Sequence, residues 1–362
     1  MNRKLSAIPL ILALFLAVLL PGHTSPASAA STASAVSVAA AASAIDSGLP
    51  IRTPQQIAAQ WKKRMSSPDD REPYIDMPSV SAPYSPGSLK TDYIQDGVNA
   101  INFYRFISGL SDNITATKPL NVQAQFGSVL LAAEDNFSHT PKKPADMSKD
   151  FYGKGYESTS SANIYASFGY DGHIVTRSIN AYMDDSDTYN LSVLGHRRWI
   201  LNPPLKFVGI GLAESEDEWT YSALQVFDTS GNKKLEHNFV AYPGESPFPI
   251  EVFGPHQAWS ISLNMDKFKK PEKKNVKVSL TRLKDNRTWK LNSKNGKVTG
   301  KGAYFNVENT GYGTGSAIIF RPDGIVGYRA GDRFKVQVLG LQSKDGKDLT
   351  ISYTVNFMTV KK

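Results

Sequence analysis

The period of the apolar residues changes at Tyr242-Pro243-Gly244, and that change sets the plan of the chain. Before it, apolar side chains recur at helical spacing: Ile94, Val98 and Ile101, then Val122, Phe126, Val129 and Ala133, then Val175, Ile179 and Tyr182 with Ser178 on the same side. Gly109 is placed to end the first of these helices, and the third runs from about His173 to Asp185. Val208-Gly209-Ile210-Gly211-Leu212 and Tyr221 to Phe227 read instead as strands, the first glycine-rich and the second apolar. After the change the period is two, in Trp259 to Leu263, in Val276-Lys277-Val278 and in Phe334 to Val338. Arg333 to Leu341 and Leu349 to Phe357 flank Lys344-Asp345-Gly346, a hairpin signal. The pattern predicts an α+β protein, with a mixed domain over 90–242 followed by an all-β sandwich over 248–362 of immunoglobulin or fibronectin type.

Two segments precede these domains. Arg3 and Lys4, the apolar run Ile8 to Leu20, and Ala27-Ser28-Ala29 make the three parts of a signal peptide over 1–29. The run falls short of the roughly 20 apolar residues of a membrane span, and no later stretch qualifies. A secreted, extracellular protein with no transmembrane segment in its mature form is expected. Residues 30–89 then comprise an Ala/Ser tract from Ala30 to Ala44, a short helix and a linker. Thr53-Pro54-Gln55-Gln56 carries the helix-start signal, with Ile57, Trp61 and Met65 on one face. Prolines and serines between Asp76 and Ser88 make the linker. The chain has no cysteine, which excludes disulfides, thiolate metal sites and cysteine nucleophiles. An exported protein held together by core burial alone suits a bacterial cell surface.

The net charge of +8 is unevenly spread. From Phe248 onward 21 Lys and Arg face 9 Asp and Glu, a balance of +12, so the residues before it carry −4. Lys267, Lys269, Lys270, Lys273, Lys274 and Lys277 crowd one stretch. Such a basic surface suits an anionic cell-wall polymer or lipid headgroups, with cell-wall association as the result. The plainer alternative is a solvated sheet edge that lysines keep from pairing. Nucleic acid is not an expected partner, because the lysines lack an arginine-and-aromatic recognition pattern.

The chemistry centres on two of the five histidines beyond the signal segment. His139 closes a helix in Asn136-Phe137-Ser138-His139, and His196 sits in Gly195-His196-Arg197-Arg198-Trp199-Ile200. Imidazoles brought together from such places can bind a divalent metal such as zinc, with oxygen donors from Asp184, Asp185 and Asp187 just upstream. Alternatively the pair serves as hydrogen-bonding groups that pin loops to the core. His-Glu-x-x-His, a phosphate-binding loop and Gly-x-Ser-x-Gly are all missing from the sequence. Gly311-Tyr312-Gly313-Thr314-Gly315 sits among strands and reads as turn glycines, while Glu214 to Glu218 reads as an acidic hairpin loop rather than a calcium loop.

Taken in order, these segments resemble the CAP (SCP-like) superfamily in its bacterial extracellular form. Asn102-Phe103-Tyr104-Arg105 with Gly109-Leu110 is similar to its first-helix signature, and Ser138-His139 to its first histidine. Ser161-Ala162-Asn163-Ile164 occupies the place of its Gly-Glu-Asn-Ile, and Tyr182 to Asp185 resembles its Trp-x-x-acid segment. Gly195 to Pro203, running into Val208-Gly209-Ile210-Gly211, resembles the bacterial motif around the second histidine. The resemblance implies an α-β-α sandwich over about Lys90 to Phe227, with His139 and His196 facing one cleft that Ser138, Asn163 and Tyr182 help to line. It also implies two acids beside the histidines. Here the glutamate position holds Ala162, which leaves Asp185, with Glu157 nearby as a substitute.

Two functions of different class follow. One is a non-catalytic module whose cleft binds a small or polymeric ligand while the basic domain docks to the cell envelope. The other is a metal- or histidine-dependent extracellular hydrolase, in which His139 or His196 activates water.

Overall fold

The computed structural model describes residues 43–65, 71–169, 172–231 and 236–361. The expected signal peptide and nearly all of the Ala/Ser tract lie outside them. Residues 42–362 form one compact unit. In chain order it begins with strand β1 (Ser43–Ile45), helix α1 (Pro54–Arg64) and strands β2 (Tyr74–Asp76) and β3 (Ser88–Leu89). The Thr53 hydroxyl accepts from the Gln56 amide at 3.2 Å, and the Gln56 side chain accepts from the Thr53 amide at 2.9 Å, which closes the expected capping box. The linker between Asp76 and Ser88 is bracketed by the β2–β3 pair.

The central layers follow: α2 (Thr91–Ile107), β4 (Thr115–Ala116), α3 (Lys118–Glu134), α4 (Lys149–Ser160), β5 (Ala162–Phe168), α5 (Ile174–Asp184), α6 (Gly195–Ile200), β6 (Phe207–Glu214) and β7 (Trp219–Gln225). The four strands make one sheet in the order β4-β6-β7-β5, antiparallel except for β4 with β6. Alternation along β6 explains the layering. Val208, Ile210 and Leu212 join the core under α2 and α5, while Gly209 and Gly211 face α3. A Cβ at Gly211 would lie 2.3 Å from the Ala124 carbonyl carbon, so the helix backbone rests directly on the strand. On the opposite face Gly97 of α2 lets Val175 and Ile210 close over it. The α-β-α sandwich is therefore present. The helices α4 and α6 have no counterpart in the apolar periodicity, because α4 is mostly polar and α6 is a six-residue turn of helix.

Apart from two single turns of 3-10 helix, Ile250–Val252 and Ser293–Asn295, the remaining elements among the described residues are strands: β8 (Phe239–Tyr242), β9 (Phe248–Pro249), β10 (Trp259–Leu263), β11 (Lys277–Arg282), β12 (Arg287–Leu291), β13 (Tyr304–Glu308), β14 (Ala317–Arg321), β15 (Arg333–Gln342) and β16 (Asp348–Met358). One sheet runs β1-β16-β15-β11-β12 with β9 also on β16, and the other runs β13-β14-β10-β8. Trp259 of the second sheet meets Phe334 at 5.9 Å and Phe357 at 6.1 Å from the first, so aromatic rings fill the space between them. The strands do not respect the turn at Pro243. β8 precedes it yet pairs with β10, and β1 from the tail of the Ala/Ser tract pairs with β16. One continuous apolar core runs from α2 through both sheets.

The sequence Gly195 to Asn202 is what joins the two regions. Arg197 is fully buried and donates to the carbonyls of Met183 at 2.8 Å, Asp184 at 2.8 Å and Ala258 at 2.6 Å. Arg198 pairs with Glu308 on β13 and donates to the carbonyls of Thr314 at 3.0 Å and Gly315 at 3.1 Å. Arg105 of α2 donates to Ile200 at 2.9 Å and Asn202 at 2.8 Å. Burying three guanidiniums is costly unless their donors are satisfied, and backbone carbonyls satisfy them here.

Candidate functional site

His139 follows α3 and is tied to the end of α4. Its Nδ1 lies 2.8 Å from the Thr159 carbonyl, and the Thr159 hydroxyl donates back to the His139 carbonyl at 3.2 Å. His196 is carried by α6, which the chain enters through Leu194 at φ 49°. A left-handed leucine is strained, and it is held because its side chain is wholly buried and its carbonyl accepts from the Arg198 amide at 3.0 Å. Nδ1 of His196 is 2.7 Å from Oδ1 of Asp185. Asp185 itself occupies the left-handed cap of α5 at φ 51°, and its Oδ2 accepts from the Arg197 amide at 3.2 Å. Burial alone pulls the imidazole of His196 down, but the charge of Asp185 and its hydrogen bond outweigh that and hold it above its ordinary value. Since each ring is anchored through Nδ1, Nε2 is the nitrogen each presents to the cleft.

The cleft has two hollows that share His139, Tyr189, Asn190 and His196. The first, about 390 Å³, adds Ala162, Asn163, Trp199, Phe227 and Tyr312 among its walls. The second, about 670 Å³, adds Ser138, Tyr165, Tyr182, Asp185 and Asp187. The histidine pair thus stands at the waist between them. Asn163 is buried and donates to the His196 carbonyl at 3.1 Å, and the Tyr182 hydroxyl donates to the Asn163 carbonyl at 3.1 Å. Ser138 accepts from the Thr140 amide at 3.0 Å. These neighbours hold the cleft's shape through bonds to backbone.

The expected oxygen donors are differently placed. Glu157 is exposed on α4 and lines neither hollow, so it does not stand in for the missing glutamate at Ala162. Asp184 lies 3.0 Å from His256, and Asp187 closes a turn by accepting from the amides of Tyr189 and Asn190 at 2.9 and 3.1 Å. Both oxygens of Asp185 are already committed. Asp185 and Asp187 line the second hollow beside the two imidazoles, with their oxygens already bonded within the protein. A catalytic zinc takes three protein ligands, and no group of three or more His, Asp or Glu is placed to hold a metal among the described residues.

Local sequence pattern marks the two histidines but not the aromatic wall beside them. Tyr189, Trp199, Phe227 and Tyr312 come from four separate segments, and Tyr312 belongs to the loop read only as turn glycines. Gly311 and Gly313 do take positive φ, at 89° and 70°. The same loop packs on α6, where a Cβ at Gly195 would lie 2.8 Å from the Tyr312 ring and one at Gly313 would lie 2.8 Å from Trp199. An aromatic residue set between glycines was the available signal.

The six lysines lie on the segment joining β10 to β11 and on the first residue of β11. Lys277 is on β11, an interior strand of its sheet, while the other five lie on the connecting segment, where Lys269 N–H donates to the Gln342 carbonyl at 2.9 Å. Lys267 and Lys274 pair with Glu236 at 3.4 Å and Glu272 at 3.0 Å.

A family model, that of the cysteine-rich secretory protein family (CAP), matches residues 98–227. Every residue lining the first hollow except Tyr312 falls inside that stretch. No curated protein matches the chain. Among the described residues no helix is long and apolar enough to cross a membrane.

Proposed function

From the premise that residues 98–227 are a CAP domain, here without a single cysteine, we propose that the chain is an exported envelope-binding module. Its cleft takes a ligand between His139 and His196, and the lysine-bearing segment adds attraction to an anionic surface. The observation that supports this reading is the prior commitment of the cleft's polar groups. Asn163, Tyr182, Asp185 and the Nδ1 atoms of both histidines are bonded within the protein before any ligand arrives. Such a preformed hollow binds with little ordering cost.

The lysines add a long-range, salt-sensitive term. Lys269→Glu with Lys270→Glu is expected to weaken sedimentation with isolated cell-wall material at low salt and to have little effect at high salt. Unchanged binding at low salt would remove the lysines from the account.

One observation favours the hydrolytic alternative: the 2.7 Å bond from Asp185 to His196 fixes the tautomer in which Nε2 can accept a proton from water. Incubating envelope material with the protein and analysing the soluble fraction by mass spectrometry separates the two readings. Binding without released fragments supports the module. Fragments that appear with the parent and vanish with His196→Ala would establish the hydrolase.

A further inference from the structure

We infer that the first hollow is a subsite for a sugar ring of a neutral oligosaccharide, and that the C-terminal sheet completes it through Tyr312. This rests on the reading of the cleft as a ligand site and names the ligand's chemical class. Among the described residues lining this hollow there is no lysine, arginine, aspartate or glutamate. An anionic ligand therefore finds no guanidinium or ammonium there, and a cationic one finds no carboxylate. What the wall offers instead is aromatic faces beside neutral hydrogen-bonding groups.

Phe227 is 38% exposed and is backed by Trp199, with ring centroids 4.0 Å apart and planes at 23°. Trp199 is in turn held from the loop side by Gly313. The result is a rigid apolar face, with little side-chain freedom left to lose on binding. Tyr189, 90% exposed, stands on the shared wall beside His139 and His196. A pyranose ring has that same division, with apolar C–H faces and a rim of hydroxyls. Its faces suit Phe227 and Tyr189, and its rim suits Asn190 and the Nε2 atoms of the two histidines. A long lipid chain needs an apolar sleeve, whereas polar imidazole and amide groups interrupt this wall.

Tyr312 reaches the hollow from outside the CAP stretch, and its position is enforced. Arg198 donates to the carbonyls of Thr314 and Gly315, stands 5.5 Å from the Tyr312 ring centroid and pairs with Glu308. The loop is thereby preorganised against α6 rather than free to swing.

The test is a titration of the full mature chain with neutral trisaccharides of glucose, galactose, mannose and N-acetylglucosamine, followed by NMR at the histidine rings and the tryptophan indoles. At least one is expected to shift the His139, His196 and Trp199 signals saturably. Tyr189→Ala removes an exposed side chain and leaves the fold intact, and Tyr312→Ala removes the contribution of the second region. Each is expected to weaken that binding about tenfold. A trisaccharide that binds equally well to both variants would overturn the proposal. If instead a neutral tripeptide or a long-chain alcohol moves those signals and no trisaccharide does, the sugar subsite is wrong and the cleft remains a ligand site. If nothing in the panel moves them and cleft variants leave envelope sedimentation unchanged, both readings fail.

Discussion

Asp185 uses both oxygens and an uncommon backbone conformation at once. It caps α5 in the left-handed region, holds Nδ1 of His196 and accepts the Arg197 amide. Asparagine tolerates that conformation and keeps the shape, so Asp185→Asn removes the charge with little backbone cost. The titration midpoint of His196, read by NMR, is expected to fall in this variant, because burial then acts without the opposing carboxylate. A midpoint that stays in place would show that Asp185 is not what raises it. The sign for stability follows from a folded pKa above the ordinary 6.5. The pair contributes fully below that value and its contribution is lost as pH rises through the raised pKa. With the carboxylates of Asp185 and Asp187 already engaged within the protein, the parent is expected to take up zinc no more tightly than His139→Ala or His196→Ala. Saturable, tight uptake abolished in both variants would contradict that assignment.

At the scale of elements, the contact between β6 and α3 depends on two missing side chains. A Cβ at Gly209 would fall 2.1 Å from the Leu120 carbonyl carbon. Gly209→Val is expected to cost about 3 kcal/mol in urea unfolding, and an unchanged midpoint would mean that the helix can move away. The clamp on the Tyr312 loop is a second such contact. Arg198 and Glu308 are both buried, with side chains 1% and 5% exposed. Arg198→Ala leaves Glu308 without its cation and is expected to destabilise by about 3–5 kcal/mol. Burial pushes Glu308 up, but its bonds to Thr310 and Arg198 pull it below its ordinary 4.5. That contribution is present above pH 4.5 and is lost as pH falls through the depressed value.

These contacts also show which elements the sequence could reveal. α5 buries the stripe that its periodicity marks, and β6 shows its alternating glycines. α2 is buried on every side from Ala100 to Ile107. α3 departs from expectation: of Val122, Phe126, Val129 and Ala133 only Val129 is fully buried and Val122 is 43% exposed, because the helix turns small residues, Ala124, Gly127 and Ser128, onto the sheet and α4. α4 buries chiefly Phe151, Gly155, Ser158 and Thr159, so small and polar residues face α3 and no apolar period appears. α6 is set by Leu194 and by arginines bonded to distant carbonyls, which local pattern does not register. Tyr312 was hidden for the same reason: its neighbours in the site are more than eighty residues away in sequence.

For the whole molecule, the two predicted regions share strands and core. β8 pairs with β10, β1 pairs with β16, and Arg197 and Arg198 reach from α6 to the second region. The described chain is therefore expected to unfold in one cooperative transition by calorimetry. Two separated transitions would show that the sheets stand independently. The change of apolar period predicts an all-β domain over 248–362; its two sheets exist, but both also take in a strand from before Phe248, β1 in one and β8 in the other. The absence of cysteine becomes intelligible at this scale, since a shared core does the joining that disulfides do in small secreted domains.

The two-hollow cleft around His139 and His196 is the proposed place where this protein meets its ligand. Sedimentation of the chain with isolated cell-envelope material at high salt, where the lysine contribution is screened, isolates the part played by the cleft. The parent is expected still to bind there, and Tyr189→Ala combined with His196→Ala is expected not to. Binding that disappears at high salt, or that persists unchanged in the cleft variant, would contradict it.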